Sequence, residues 1–443
     1  MIRLARGVLG PVLLALLSFG LMLIAAFAAA PTAKDPADDL HSWYVHVLEL
    51  VRHTATYSPP LASRNFAYLG VTAWEAIASG DDSLKSFAGQ LNGLTQLPKR
   101  EAGAAYDETV VLNAALEETV RNFFSNTGPT GQRAFAAVSK RLDEESAAGK
   151  PADVIERSKA FGKAVAAHVL EWSKDDGGAV IDNMGFPYEY KLTKGPANWV
   201  PTSALRQQQL PLLPNWGNNR TFAMPDGAAC PLPAPPAYGE DKDSAFFKEA
   251  DEVYQTANKL TDEQKLIARF WSDDPMLTPT PPGHWMSIVL QIMERDQLSV
   301  DKGAEALART GIAVADSFIG CWNTKFQYDL LRPVTYIKRV IDKKWEPMLI
   351  TPPFPEYPSG HSAESGAAAE VLTTMFGDNF AFDDATHERE GFKPRHFASF
   401  RAAAEEAGIS RLYGGIHYRT AIEQGLVQGS CVAKHVDGLE MRK

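Results

Sequence analysis

Apolar residues recur at helical spacing along most of the chain, and alternating strand patterns are few. This pattern predicts a series of helices on both sides of one irregular region. The predicted helices cover residues 41–51, 61–79, 105–124, 131–145, 152–174, 245–260, 261–271, 285–295, 304–328, 333–341, 361–376, 396–406 and 416–436. The sequence therefore predicts an all-α fold made of two packed helical bundles.

The helical pattern stops between residues 175 and 243, where proline, glycine and asparagine are frequent. The tryptophans and leucines in this region indicate a connection that packs over the protein, and ordered loops of this length often shape a binding site. The predicted organisation is an N-terminal helical bundle over 35–174, an irregular connection over 175–243 and a C-terminal helical domain over 244–443.

The N-terminus has the features of an export signal. Arg3 and Arg6 precede an apolar stretch that ends in the small residues 28–30. We therefore expect residues 1–30 to be a signal peptide, with an uncleaved single anchor as the alternative, and a periplasmic or secreted globular part. No later stretch has about 20 uncharged apolar residues, so no other membrane span is predicted.

Charge and cysteine content narrow the class further. The 443 residues carry a formal net charge of −10, and no basic run lies outside the N-terminus, which disfavours nucleic-acid binding. Cys230, Cys321 and Cys431 include no Cys-x-x-Cys pair, so a zinc site is unsupported. They allow one disulfide and one free thiol, or three buried thiols.

Three short segments in the last third of the chain have side chains suited to a tetrahedral oxyanion. These segments are Lys325-x6-Arg332-Pro333, Pro358-Ser359-Gly360-His361 and Ser410-Arg411-x5-His417. Each alone is also compatible with a solvated helix face, a helix cap or a buried histidine. Together they supply two arginine forks, a lysine charge, a serine hydroxyl and a glycine that lets a backbone N–H approach an oxygen.

The two histidines have separate tasks in such a pocket. His361 opens a predicted helix, whose dipole favours an anion. One histidine would act as acid or base beside an axial oxygen, and the other would bond to the central atom. Asp273, Asp274 and His284 are further candidates to reach the pocket, although capping and loop packing explain them equally well.

The three segments resemble the signature motifs shared by the type 2 phosphatidic acid phosphatase superfamily and the vanadium-dependent haloperoxidases. The resemblance spans residues 322–436, and residues 59–79, 213–222 and 281–285 are similar to the bacterial haloperoxidase-like members. It implies an all-α oxyanion-binding domain, with vanadate as cofactor and phosphate as a competitor for the same site. By this resemblance, the oxygens of the anion are bound by Lys325, Arg332, Ser359, Gly360 and Arg411.

The resemblance also assigns the catalytic groups. His417 would be the vanadium ligand of a peroxidase, or the phosphorylated nucleophile of a phosphatase. His361 would deprotonate hydrogen peroxide or protonate a leaving group, and Lys325 would polarise the activated oxygen. Trp322 and Phe354 match positions that line the halide side of the site in the fungal chloroperoxidase type.

One residue departs from the family pattern. The motif of the phosphatases has an aspartate four residues after its last histidine, and Ala421 occupies that position here. Glu423 lies six residues after His417 and would point elsewhere on a helix. The departure weakens the phosphatase reading, and it also implies reduced vanadate affinity, because haloperoxidases tend to have an acid there as well.

We therefore predict a vanadium-dependent haloperoxidase that uses hydrogen peroxide and halide. The long N-terminal helical region favours this reading over the alternative of a soluble exported acid phosphatase acting on phosphomonoesters through a phosphohistidine. A third possibility is a degenerate protein that binds phosphate without turnover. The sequence leaves the halide, the organic substrate and the oligomeric state open.

Overall fold

Helices make up most of the structure, a computed structural model that describes residues 35–179, 181, 183–203 and 210–443. The predicted leader over 1–30 lies outside these residues. The helices are α1 Pro36–His53, α2 Pro59–Ala78, α3 Glu108–Phe123, α4 Pro129–Ala147, α5 Ala152–Ser173, α6 Ala245–Ala257, α7 Asp262–Phe270, α8 Thr280–Asp296, α9 Val300–Tyr328, α10 Pro333–Val340, α11 Gly360–Phe376, α12 Phe400–Tyr413 and α13 Arg419–Asp437. Two short strands, β1 Phe382–Asp384 and β2 Arg395–Phe397, pair in antiparallel register.

The all-α prediction is confirmed, and the helix starts follow local capping chemistry. Thr261 forms the predicted capping box with Gln264 at the start of α7. Ser359 caps α11 by accepting a hydrogen bond from the backbone of Ser362.

Several predicted helix boundaries were wrong. The helices expected from residues 41 and 285 begin five residues earlier, at Pro36 and Thr280. The helix expected over 396–406 begins at Phe400, because Ser399 caps it and Phe397 belongs to β2, where it pairs with Phe382. The helix expected from residue 416 begins at Arg419. His417 therefore precedes α13 and does not lie on it.

Helix α9 lies at the centre of the molecule. It packs against α2 on one side and against α11 and α13 on the other. The helices α2, α3 and α5 form one packed set, and α11, α12 and α13 form a second, which agrees with the predicted pair of bundles. Residues from Asp35 onward form one compact unit, so the proposed domain boundaries stay a prediction.

The irregular connection is packed, as its apolar residues indicated. Trp216, Phe222 and Met224 are buried, and the Asp316 carboxylate of α9 accepts hydrogen bonds from the backbone N–H groups of Phe222, Ala223 and Met224. A disulfide joins Cys230 of this connection to Cys431 of α13, and Cys321 is a buried free thiol. Across the described part of the chain, no helix combines the length and apolarity that crossing a membrane requires.

Two glycines let α13 lie directly on the backbone of α11. A Cβ added to Gly429 would stand 2.3 Å from the carbonyl oxygen of Ala363 and 2.5 Å from the nitrogen of Ala367. At Gly425 it would stand 2.8 Å from the carbonyl oxygen of Ser359. Since α11 begins at Gly360, this contact fixes the position of the oxyanion motif.

We expect Gly429→Ala to lower the free energy of unfolding by about 1–3 kcal/mol, because its methyl group must displace a helix backbone. Gly320→Ala in α9 is the matched control, because the nearest atom to its Cβ is 3.6 Å away and alanine favours a helix. Urea denaturation of both variants measures the difference. Equal stability of the two variants would contradict the backbone contact.

Candidate active site

A cavity of about 420 Å³ opens at the start of α11. Six of the predicted site residues line it, namely Trp322, Phe354, Gly360, His361, Arg411 and His417. The other three, Lys325, Arg332 and Ser359, are fully buried. The Lys325 and Arg332 side chains lie beside the ring of Phe354, and Ser359 directly precedes Gly360. The structure thus brings all nine predicted residues together.

Arg332 lies beneath the cavity with its guanidinium held on two sides. Its Nε donates to the carbonyl of Phe354 at 2.9 Å, and its Nη1 donates to the carbonyl of Ile416 at 2.9 Å and to Nε2 of His417 at 3.1 Å. The remaining Nη2 is buried and has no partner among the described residues. Burial lowers the pKa of Arg332 to about 10, which leaves it charged at neutral pH.

Lys325 contributes charge in a way that the motif did not predict. Its ammonium donates to the carbonyls of Pro355 and Glu356, each at 3.0 Å, and to that of Pro358. An ammonium has three N–H donors, so all of them are used. The predicted direct bond to an oxyanion requires one of these bonds to be exchanged. Burial lowers the pKa of Lys325 to about 8.

The first turn of α11 presents backbone N–H groups to the cavity. Gly360 does not have a positive φ, so its backbone does not demand glycine. A Cβ there would lie no closer than 3.8 Å to Phe318 and 3.9 Å to Trp322. The protein around it therefore leaves room for a side chain, and its absence keeps the N–H accessible at a helix N-terminus.

His361 lines the cavity as a neutral histidine. Burial and the charge of Arg411 hold the pKa of His361 well below its usual value. Its ring hydrogen-bonds the backbone of Trp271, and its Nε2 finds no partner in the residues that the structure describes. Arg411 is held beside it, because its Nη2 donates to the same Trp271 carbonyl at 2.8 Å.

His417 is held from both ends of its ring in the turn before α13. Nε2 lies 3.1 Å from Nη1 of Arg332, and Nδ1 lies 2.8 Å from Oε1 of Glu356. Burial and the neighbouring cations Arg332 and Lys325 keep the pKa of His417 well below its usual value. The imidazole is therefore neutral.

Glu356 is the functional residue that the motif analysis missed. The sequence pattern predicted that His417 lies on a helix, where positions 421 and 423 are the nearest candidates for a paired acid. The structure corrects this prediction, because α13 begins at Arg419, after His417. Ala421 is packed in an apolar cluster, and Glu423 is exposed beside Arg419. A carboxylate within Pro355-Glu356-Tyr357-Pro358 was the available signal, since a charged residue in such an apolar segment needs a buried partner.

The acids and histidine near residue 280 lie at different depths. Asp273 and Asp274 line the cavity. His284 does not line it, because Asp273 accepts from its Nδ1 at 3.0 Å and Asp384 from its Nε2 at 2.7 Å. The two carboxylates outweigh burial and raise the pKa of His284 to about 10, so it is a buried imidazolium.

Trp322 and Phe354 form the aromatic wall that was predicted for the halide. Their ring centroids are 4.8 Å apart. The Lys325 ammonium lies 5.1 Å from the centroid of Phe354, and the guanidinium carbon of Arg332 lies 5.0 Å from it. An apolar surface thus faces the cavity with buried positive charge directly behind it.

These groups fit a vanadate bonded through one nitrogen. Such an anion needs donors. Those available are Nη2 of Arg332, which no described residue engages, together with Arg411 and the N–H of Gly360. The nitrogen would be Nε2 of His417. Phosphate presents the same tetrahedral set of oxygens to these donors, and competition by phosphate stays a prediction.

Comparisons with known proteins agree with this geometry. The family model of the second helical-bundle domain of vanadium chloroperoxidase matches residues 305–442. Vanadium chloroperoxidase of Curvularia inaequalis is 24% identical over 213 residues, which cover 34% of this chain and 35% of that protein. The aligned region is therefore about a third of the relative's length.

Solved structures extend the likeness to nearly the whole chain. The structure described as the first bacterial vanadium-dependent iodoperoxidase superposes with a TM-score of 0.83 at 38% identity, and the match covers 92% of this chain and 97% of that one. Apo and holo bacterial vanadium-dependent chloroperoxidases superpose with TM-scores of 0.64 and 0.63 at 15% and 16% identity, over 85% and 92% of this chain and 93% and 94% of theirs. These last two show the same fold.

Gly360→Ala should fold normally and bind inorganic phosphate about tenfold more weakly, because the methyl group would occupy the space beside the anion-binding N–H. Calorimetric titration with phosphate measures the affinity, and thermal unfolding checks the fold. Gly320→Ala serves as the control for a helical glycine away from the cavity. Unchanged phosphate affinity in Gly360→Ala would exclude this N–H as a ligand.

Proposed function

The chain belongs to the vanadium-dependent haloperoxidase family, and we propose that it oxidises halide with hydrogen peroxide at a vanadate bound to His417. One observation carries this proposal. His417 lines a cavity beside Arg332, whose buried Nη2 has no hydrogen-bond partner among the described residues. When bound there, vanadate would supply Lewis-acid activation of hydrogen peroxide without changing its oxidation state.

The protein's own residues supply charge, orientation and proton transfer. Arg332, Arg411 and the start of α11 would bind and orient the anion, and Lys325 would add positive charge from behind the loop that it holds. His361 would accept the proton of hydrogen peroxide, because it is neutral and its Nε2 has no partner among described residues. His361 would then hold that proton at Nε2.

Iodide is the halide that we propose as preferred. A relative that is 38% identical over nearly the whole chain is described as an iodoperoxidase. The aromatic wall of Trp322 and Phe354 suits a large, weakly hydrated anion, because such an anion loses little hydration energy on entering an apolar cavity. The buried cations behind the wall supply the attraction.

Phosphomonoester hydrolysis is the second candidate. The lack of an acid at position 421 argued against it, but Glu356 supplies a carboxylate to His417 from another segment. A histidine paired in this way also suits a phosphorylated nucleophile. Halide oxidation and phosphomonoester hydrolysis would use the same anion-binding residues, so activity assays must distinguish them.

We also propose that the protein is exported to the periplasm or secreted. The disulfide between Cys230 and Cys431 supports it, because such bonds persist in oxidising compartments outside the cytoplasm. The charged and apolar pattern of residues 1–30 supports it independently.

The purified protein, loaded with orthovanadate, should oxidise iodide with hydrogen peroxide, and the rate should depend on added vanadate. Triiodide absorbance measures the reaction, and bromide and chloride in parallel give the halide order. We expect iodide to react fastest. Absence of vanadate-dependent oxidation together with rapid hydrolysis of p-nitrophenyl phosphate would make the phosphatase the correct assignment.

Substitution of each histidine should separate binding from turnover in this assay. We expect His417→Ala to abolish vanadate binding, because it removes the proposed ligand. His361→Ala should bind vanadate but lose turnover by about 10²- to 10⁴-fold, as expected for removal of a proton-transfer group. Calorimetry measures binding independently of activity. An equal loss of binding in both variants would contradict the division of roles.

A further inference from the structure

We propose that Glu356 is a positioning residue that fixes the tautomer of His417, so that Nε2 presents its lone pair to the bound anion's central atom. This inference rests on the proposed function, because it concerns the same site. It assigns a role to a residue outside the three motifs. It also explains how the site is complete with alanine at position 421.

The first step concerns Oε1 of Glu356. This oxygen lies 2.9 Å from the backbone nitrogen of Tyr418 and 2.8 Å from Nδ1 of His417. A backbone N–H can only donate, so Oε1 accepts that bond. An oxygen engaged as an acceptor is best paired with a second donor, and Nδ1 therefore carries the hydrogen.

The opposite end of the ring gives the same tautomer independently. Nη1 of Arg332 lies 3.1 Å from Nε2 of His417. A guanidinium has donors and no acceptor, so Nε2 must accept. An accepting Nε2 carries a lone pair, and Nδ1 carries the hydrogen that it donates to Glu356, so both contacts put the lone pair on Nε2.

The assignment does not depend on whether Glu356 is ionised. Its Oε2 is buried and has no partner in the described chain. If the carboxyl group takes up a proton, the proton belongs on Oε2, because Oε1 already accepts two N–H groups. Oε1 remains an acceptor in both forms, and the histidine tautomer is unchanged.

The backbone holds Glu356 in place for this role. Its N–H donates to the carbonyl of Leu330 at 2.9 Å, and its own carbonyl accepts from Lys325 at 3.0 Å. The neighbouring Ala421 packs with Tyr418 and Ile422 in an apolar cluster, and its carbonyl accepts from the N–H of Ser359. The position that carries the acid in related motifs is thus a packing position here, and the acid comes from the loop before α11.

The proposed role of Glu356 predicts how three substitutions at this position rank by anion affinity. Glu356→Gln keeps a carbonyl oxygen that can replace Oε1, and it removes the charge. Glu356→Asp keeps the charge and withdraws the oxygen by one methylene group. Glu356→Leu removes both. We expect vanadate affinity within about threefold of wild type for Gln, and a loss of about 10- to 100-fold for Asp and Leu, the usual effect of removing a group that orients a ligating histidine.

Calorimetry with inorganic phosphate and with orthovanadate measures these affinities on the full-length protein. Glu75→Leu is the matched control. Glu75 is a buried glutamate of α2 that also accepts a backbone N–H, that of Phe87, and it does not line the cavity. This variant should lose stability without a change in affinity for vanadate or phosphate. Wild-type affinity in a folded Glu356→Leu variant would overturn the proposal.

Nitrogen-15 NMR of the histidine rings tests the tautomer directly and does not depend on a variant folding. The signal of His417, identified by its absence in His417→Ala, should show a protonated Nδ1 and an unprotonated Nε2. A protonated Nε2 in the wild-type protein would overturn the proposal. Failure of the wild-type protein to bind either anion would instead contradict the proposed function.

Discussion

The burial of three cations is the constraint on which the rest of the structure depends. Lys325, Arg332 and Arg411 are at most 2% exposed, and removing such charges from water is costly unless their donors are satisfied. Backbone carbonyls supply most of the partners. Those carbonyls belong to residues 354, 355, 356 and 358, to Ile416 and to Trp271. The loop before α11 and the turn before α13 therefore direct their carbonyls at these cations. Nη2 of Arg332 is left without a partner among the described residues.

Helix packing transmits this local arrangement to the rest of the fold. The carbonyl of Ala421 in α13 accepts from the N–H of Ser359, the residue that caps α11. Gly425 and Gly429 then keep the two helices in backbone contact over the following turns. Because the N–H groups that we propose to bind the anion are the first of α11, a shift of this helix pair would move them relative to Arg332 and His417. The geometry of the site therefore depends on the packing of α11 against α13.

The helices and the nine site residues could be predicted from sequence, because helical periodicity and the three motifs are local signals. The role of Glu356 could not, since it depends on where α13 begins. A boundary error of three residues placed His417 on a helix and directed the search to Ala421 and Glu423. Spacing likewise indicated that Lys325 lies near the anion but not that carbonyls use its three donors. The pairing of Phe382 with Phe397 joins distant segments, which periodicity does not reveal.

The charge balance around the cavity explains how a protein with a formal net charge of −10 keeps an anion site. Four fully buried groups are cationic near neutral pH, namely Lys325, Arg332, Arg411 and His284. Asp273 and Asp384 share His284 and have lowered pKa values, so they remain ionised and offset it. Burial raises the pKa of Glu356 to about 8 and that of Glu364 well above its usual value, which suppresses further negative charge. The net charge of these buried groups is positive. Because they lie in the protein interior, solvent screens this charge weakly. An entering oxyanion is therefore attracted by the buried cations around the cavity.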